Sequence, residues 1–325
     1  MSNSTVTILT YHRIADAGSR DLAPTLIDAY PADFEAQMRY LAGHYNVVSS
    51  WDIVRALREG YTLPRRALAI TFDDGYICFR DTAFPILRRL GLPVTLFVAT
   101  GYTSNPTRLF WWDAIYRALT RTAQAEIDIE SIGRLPLRTN SQREYAFNLI
   151  VPIIETRREA DAARLVDSIL SHCNVEPNRD AHLLGWDDVA SLAAEGVAIG
   201  PHTREHPILA QVSPERARAE IEGSWADLGA RIPRPLPIFC YPNGQPYAVN
   251  RAAREAVRAA GFAGAVTMVA GLNVLGQTNP FLLHRIGAVA GESLDHFRLK
   301  ISPAGRLYRR VKAIARRKPL HMFEA

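Results

Sequence analysis

Six short apolar runs recur along the chain, at Val6–Thr10, Ala67–Phe72, Val94–Ala99, Val197–Ile199, Pro237–Tyr241 and Gly264–Val269. Their length and flanking turn residues predict buried strands, and the stretches between them carry apolar positions at helical spacing. Several helix ends are legible: Ser50 can cap a helix to Glu59 with Gly60 beyond it, Ser213-Pro214 opens one that ends near Gly229, and Asn250 opens another closed by Gly261. Strands alternating with helices predict an α/β fold with a parallel sheet and right-handed crossovers. Polar clusters at the strand carboxyl ends match the working face of a β/α barrel.

Residues 105–185 exceed what one strand-to-strand connection needs and predict a helical insertion, a cap over the barrel mouth. It opens on Phe110-Trp111-Trp112-Asp113-Ala114-Ile115-Tyr116 and continues in a charged helical stretch from Gln142 to Leu170. Trp111 and Trp112 could stack on sugar faces, or at least one of them could fill the small core of the insertion. The expected organisation is therefore a barrel over 1–300 carrying this insertion, followed by a basic tail over 301–325.

The run Ile70-Thr71-Phe72-Asp73-Asp74-Gly75-Tyr76 delivers two adjacent carboxylates from a strand into a glycine turn. Neighbouring strand residues point to opposite faces, so one carboxylate can hold a metal while the other serves beside it as a base. An Asp-Asp-Gly turn can also be purely structural. A second cluster, Gly200-Pro201-His202-Thr203-Arg204-Glu205-His206-Pro207, follows an apolar run and supplies two histidines at i and i+4. With one aspartate they make a three-residue ligand set that leaves a coordination position open for water.

These two segments resemble the first two signature motifs of the polysaccharide deacetylases, carbohydrate esterases of the NodB-homology type. The resemblance implies that Asp74, His202 and His206 bind a divalent metal, Zn2+ first with Co2+, Ni2+ or Fe2+ as alternatives, and that Asp73 is the general base. It also sharpens the fold to a distorted, incomplete (β/α) barrel. Phe239-Cys240-Tyr241-Pro242-Asn243-Gly244 is similar to the family motif that lines the groove, which makes Tyr241, Pro242 and Asn243 the segment giving a backbone N–H to the oxyanion. The family's usual arginine, a few residues before that proline, is absent here. An amide also needs an acid for its leaving nitrogen. His12, in Tyr11-His12-Arg13-Ile14, resembles the N-terminal element of exopolysaccharide deacetylases, while His284, in Leu282-Leu283-His284-Arg285-Ile286, resembles the late Leu-x-His motif of more typical members. His12 is favoured and His284 kept as the alternative.

Read alone, His202-Thr203-Arg204-Glu205-His206 also spells the inverzincin protease signature. That motif requires a helix, and Pro207 together with Gly200-Pro201 argues against one. A protein that binds the metal without turnover would not need Asp73. The expected activity is metal-dependent hydrolysis of N-acetyl groups on the amino sugars of a polysaccharide or lipid-linked glycan, with an O-acetyl ester, N-formyl group or small amide as the alternative substrate.

The formal net charge of +5 over 325 residues resides in the tail, where Arg306, Arg309, Arg310, Lys312, Arg316, Arg317 and Lys318 leave −2 for the rest. A nearly neutral body argues against a nucleic-acid partner. The tail places Leu307, Val311 and Ile314 at helical spacing, which suits either peripheral contact with an anionic membrane or a solvated terminal helix. Met1 to Thr5 carries no export signal and no stretch reaches a transmembrane length, so the expected location is cytoplasmic, with the tail able to bring the protein to a membrane surface. Cys78, Cys173 and Cys240, odd in number and far apart, suit a reducing compartment, with Cys240 a core thiol near the site.

Overall fold

The computed structural model describes residues 4–16, 22–130, 132–176, 180–302 and 305, so the basic residues from 306 onward, with the helix expected there, lie outside the described residues. Its main sheet runs β10 (Asn273–Val274), β1 (Thr5–Tyr11), β3 (Ala67–Phe72), β4 (Thr95–Val98) and β7 (Ala198–Pro201), with β2 (Asn46–Val47) also on β3 and β11 (Ile286–Gly287) also on β1. Every pairing in it is parallel except that of β10. A parallel pair, β8 (Ile238–Cys240) and β9 (Gly264–Val266), continues the curve, since Leu283 bridges to Val266 just before the chain enters β11. At the β7/β8 seam the Leu236 N–H donates to the Ile199 carbonyl at 2.7 Å in place of a ladder. The strands thus curve into a distorted, incomplete barrel.

The predicted strands fall where the apolar runs lie, within one to three residues at their ends. Both faces of β3 are buried, and they differ in size. Ala67 and Ala69 face the barrel interior with Val6, Ile8, Phe97, Ile238 and Val266, whereas Leu68, Ile70 and Phe72 pack outward against Phe34, Met38, Leu41 and Leu87. Small side chains inside and large ones outside are what a narrow barrel sheathed in helices requires.

The outer layer includes α1 (Pro31–His44), α2 (Ser50–Glu59), α3 (Phe84–Arg89) and the single turn α4 (Thr100–Thr103). Gly60 closes α2 in the left-handed conformation as expected, but the cap is Ser49, whose hydroxyl accepts the Trp51 N–H, while Asp52 returns the bond to the Ser49 N–H. Ser50 is instead buried, bonded to Thr95 at 2.6 Å.

Between β4 and β7 the chain forms α5 (Trp111–Arg121), the hairpin β5 (Glu126–Ile129) and β6 (Gly133–Pro136), then α6 (Asn140–Glu155) and α7 (Glu159–Cys173). The charged helical stretch expected over Gln142–Leu170 resolves into two helices, and the hairpin before them was not anticipated. This segment has its own core, built on Ile115, Leu119, Ile127, Phe147, Ile150 and Ile169. After it come α8 (Trp186–Ala194), α9 (Pro214–Arg231), α10 (Arg251–Ala259) and α11 (Leu294–Ile301). Ser213 and Asn250 cap α9 and α10 as predicted. No helix among the described residues is long and apolar enough to cross a membrane.

Gly200 on β7 marks the tightest approach across the seam. A Cβ there would lie 2.6 Å from the Phe97 ring and 3.1 Å from the Ile238 carbonyl. Overpacking of this kind costs about 1–3 kcal/mol, so Gly200→Ala should lower the unfolding free energy by that amount, read as a reduced denaturant midpoint at an unchanged m-value.

Candidate active site

Asp73 and Asp74 leave β3 at the carboxyl end of the barrel. The inner-face alternation of Ala67, Ala69 and Thr71 carries Asp73 inward, while Asp74 (φ 72°) and Gly75 (φ 81°) turn through the left-handed region and swing the second carboxylate aside. Aspartate is among the few non-glycine residues that tolerate that conformation. At the end of β7 the segment His202–His206 is a loop, not a helix, with Thr203 at φ 64° and His206 at φ 53°. The inverzincin geometry is therefore absent.

This loop is held from below by a residue the sequence reading passed over. Glu220 of α9, fully buried, accepts the N–H groups of Arg204 and Glu205, each at 2.8 Å, while Thr203 Oγ1 accepts the His206 N–H at 3.0 Å. The result brings three ligand atoms together. Asp74 Oδ1 lies 3.3 Å from His202 Nε2 and 3.4 Å from His206 Nε2, and the two nitrogens are 3.1 Å apart. His202 Nδ1 pairs with the Cys240 carbonyl at 2.8 Å, which selects the tautomer with Nε2 free to ligate. Asp74 Oδ1 is buried without a hydrogen-bond partner. A buried anionic oxygen facing two imidazole nitrogens at this spacing fits a divalent cation.

Beside this triad, Asp73 is gripped by Arg285, whose Nη1 and Nη2 donate to Oδ1 and Oδ2 at 2.7 and 2.6 Å in a fully buried, two-pronged pair. Arg285 also donates to the Thr267 carbonyl at 2.9 Å and to Thr71 Oγ1 at 3.2 Å. Cys240 makes room for it, and its thiol donates to Asp73 Oδ2 at 3.3 Å. Burial pushes the Asp73 carboxyl up, but the Arg285 charge and hydrogen bonds hold it below its usual range. The arginine absent before Pro242 is thus matched by one arriving from the far end of the barrel. A signal existed: an arginine inside the apolar run Leu282-Leu283-His284-Arg285-Ile286 needs a buried partner.

The same alternation corrects the reading of His284. With Arg285 turned inward, His284 faces a separate crevice with Val274, Gln277 and Leu282, its N–H donating to Asn273 Oδ1 at 2.8 Å. It does not line the cavity that holds the triad. His12, by contrast, follows β1 onto the cavity floor, with Nε2 3.8 Å from Asp73 Oδ2 and Nδ1 3.3 Å from Asp28 Oδ2. Asp28 also accepts the backbone N–H groups of His12 and Arg13 at 2.5 and 3.0 Å, a role no local pattern announced. Burial pulls the His12 ring down, yet Asp28, with the more distant Asp74 and Asp73, outweighs it and brings it to about 9.

Tyr241 and Asn243 border the same cavity, with Pro242 turning between them. The Tyr241 N–H is engaged by the Val266 carbonyl at 3.3 Å and its ring packs on Phe239, which turns it away from oxyanion work. Asn243, at φ 60°, keeps a backbone N–H with no acceptor among the described residues. The cavity encloses about 500 Å³, and α5 to α7 supply one wall, including Trp111, Trp112, Ile154 and Glu155. Trp112 stacks on Phe110 at 4.6 Å and meets the His206 ring edge-on at 4.9 Å.

The family model for polysaccharide deacetylases matches residues 60–265. The Bacillus subtilis (strain 168) protein named "Putative polysaccharide deacetylase YxkH" is 26% identical over 168 residues, 50% of this chain and 51% of the relative, so the chain spans about half the length of that curated relative. Among solved structures, the Streptococcus pyogenes deacetylase PplD in complex with acetate superposes with a TM-score of 0.62 at 18% identity, covering 93% of this chain and all of the other. A de-N-acetylase from Aggregatibacter actinomycetemcomitans gives 0.60 at 16% identity, covering 91% and 99%. At these identities the structures establish a shared fold.

Two outcomes test the supporting residues. Glu220→Gln should weaken the affinity for a divalent-cation probe such as Zn2+ about 10- to 100-fold in a chelator competition by loosening the His202–His206 loop. Arg285→Met should leave Zn2+ stoichiometry intact yet destabilise the fold by about 3–5 kcal/mol in denaturant unfolding, because it strands the buried Asp73 charge.

Proposed function

Because this chain belongs to the polysaccharide deacetylase family, we propose that it hydrolyses N-acetyl groups on amino sugars of a polysaccharide or lipid-linked glycan and releases acetate. The observation that carries this reading is the convergence of Asp74, His202 and His206 beside an arginine-braced Asp73 and a carboxylate-backed His12 in one cavity. A divalent ion held by Asp74, His202 and His206, zinc by the donor set, would supply Lewis acidity at the carbonyl and acidify the attacking water.

The protein's own groups divide the remaining work. Asp73, fixed by Arg285, takes the proton of the attacking water, and its orientation costs nothing at the moment of reaction because the fork is already formed. The Asn243 N–H is the donor for the developing oxyanion, in place of Tyr241. His12 donates to the leaving nitrogen. An amine is a poor leaving group without a proton, whereas an alkoxide needs one less, so an imidazole built to stay charged favours the N-acetyl amide over an O-acetyl ester.

Acetate release from chitooligosaccharides by the Zn2+-loaded protein tests the reading. Asp73→Asn should retain the metal and lose about 10²- to 10⁴-fold in kcat; acetate at the wild-type rate from a metal-loaded Asp73→Asn would remove Asp73 as the base. The pH profile checks the acid. His12 works protonated, so activity should fall as pH rises through about 9. Asp28→Asn removes a group that raises this ring and should move the alkaline limb to lower pH; a limb that does not move would remove His12 from the role.

A further inference from the structure

Three sides of the cavity are closed by cross-links between the insertion and the barrel rim. On the β1/β3 side, Asp113 of α5 is buried against the Arg13 guanidinium and accepts the Tyr76 hydroxyl at 2.9 Å. On the β7/β8 side, the last residue of α6, Glu155, accepts from Asn243 Nδ2 at 3.1 Å and from the Tyr247 hydroxyl at 3.2 Å, and its carbonyl accepts the Gln211 side-chain amide. These rim positions lie across the ring from one another, since β4 separates β3 from β7 in the sheet order. The β4 side is filled by the stack of Tyr102 on Phe110 at 4.1 Å and Phe110 on Trp112, flanked by an ion pair between Arg108 and Glu205. Only the β9 side, bordered by Met268, is left without such a tie among the described residues.

The geometry points to a blind pocket that accepts a terminal N-acetylamino sugar of a glycan and excludes internal residues of a long chain. This rests on the deacetylase reading and narrows its substrate class. An internal sugar has a neighbour on both sides, so its two flanking chains must leave the site in different directions. The ties at Asp113 and Glu155 and the aromatic stack block all exits but one. A terminal sugar needs a single exit, and a cavity of about 500 Å³ is in the size range of sites that enclose a small ligand.

N-acetylglucosamine oligomers of increasing length, digested with the Zn2+-loaded protein and sequenced by mass spectrometry, decide the matter. The expected result is a single acetate per chain at every length, mapped to a terminal residue. Glu155→Ala, and Tyr247→Phe as the milder break of the same tie, should open the β8 side and give products deacetylated at internal positions as well. Release of several acetates from internal positions by the wild type would overturn the blind pocket while leaving the deacetylase reading intact. Terminal release by the wild type that stays strictly terminal in both folded variants would remove the Glu155 tie as its cause. No acetate from any member of the series, with Zn2+ bound, would overturn both readings.

Discussion

The two-pronged ion pair between Arg285 and Asp73 constrains the architecture around it. Each charge, taken alone into the barrel interior, would cost several kcal/mol, and the pair is tolerable only because the guanidinium also finds Thr71 and the Thr267 carbonyl. Those four groups come from β3, the end of β9 and the approach to β11, so the pair forms only when the ring of strands has curved round on itself. It also sets the parity of the last strand. Placing Arg285 inside sends His284 outside, and the small thiol of Cys240 leaves the volume that the guanidinium occupies. The arginine that the resemblance leads one to expect before Pro242 is absent, and the brace on Asp73 comes from another strand instead.

Around this anchor the backbone is held in conformations it would not choose. Asp74, Thr203, His206 and Asn243, four of the six non-glycine residues with positive φ among the described residues, lie at or next to the cavity. Each such residue costs of order 1–3 kcal/mol unless its surroundings fix it. The surroundings here are specific: Glu220 under the histidine loop, the Tyr11 carbonyl receiving the Asp73 N–H, Glu155 on the Asn243 side chain. Strain beside the candidate ligand atoms is balanced by hydrogen bonds one layer out, which support their 3.1–3.4 Å spacing.

What the sequence disclosed follows the range of the interactions. Strand positions, the aspartate turn, the paired histidines and the caps at Ser213 and Asn250 depend on neighbours a few residues away, and all were legible. Arg285 was not, since its partner lies 212 residues distant, and nothing in Leu282–Ile286 says which of His284 and Arg285 faces inward. Asp28 reads as an ordinary loop acid until β1 places His12 beside it. Glu220 left a trace, a carboxylate in the buried stripe Ala217, Glu220, Ile221, Ser224 of α9, but a stripe does not name the backbone it will hold. The break between α6 and α7 at 156–158 escaped a helical-period reading because polar residues there continue the period.

The insertion keeps a core of its own, distinct from the clusters that pack the barrel, and meets the cavity rim through a handful of polar ties and an aromatic stack. Its interior can therefore change without moving Asp73, and the buried pair can persist while the wall above it is rebuilt. One chain holds two units of heredity: a reaction centre whose residues are locked to one another across the ring, and a selecting surface free to drift. Divergence within such a lineage would accumulate in what the protein accepts long before it reached what the protein does.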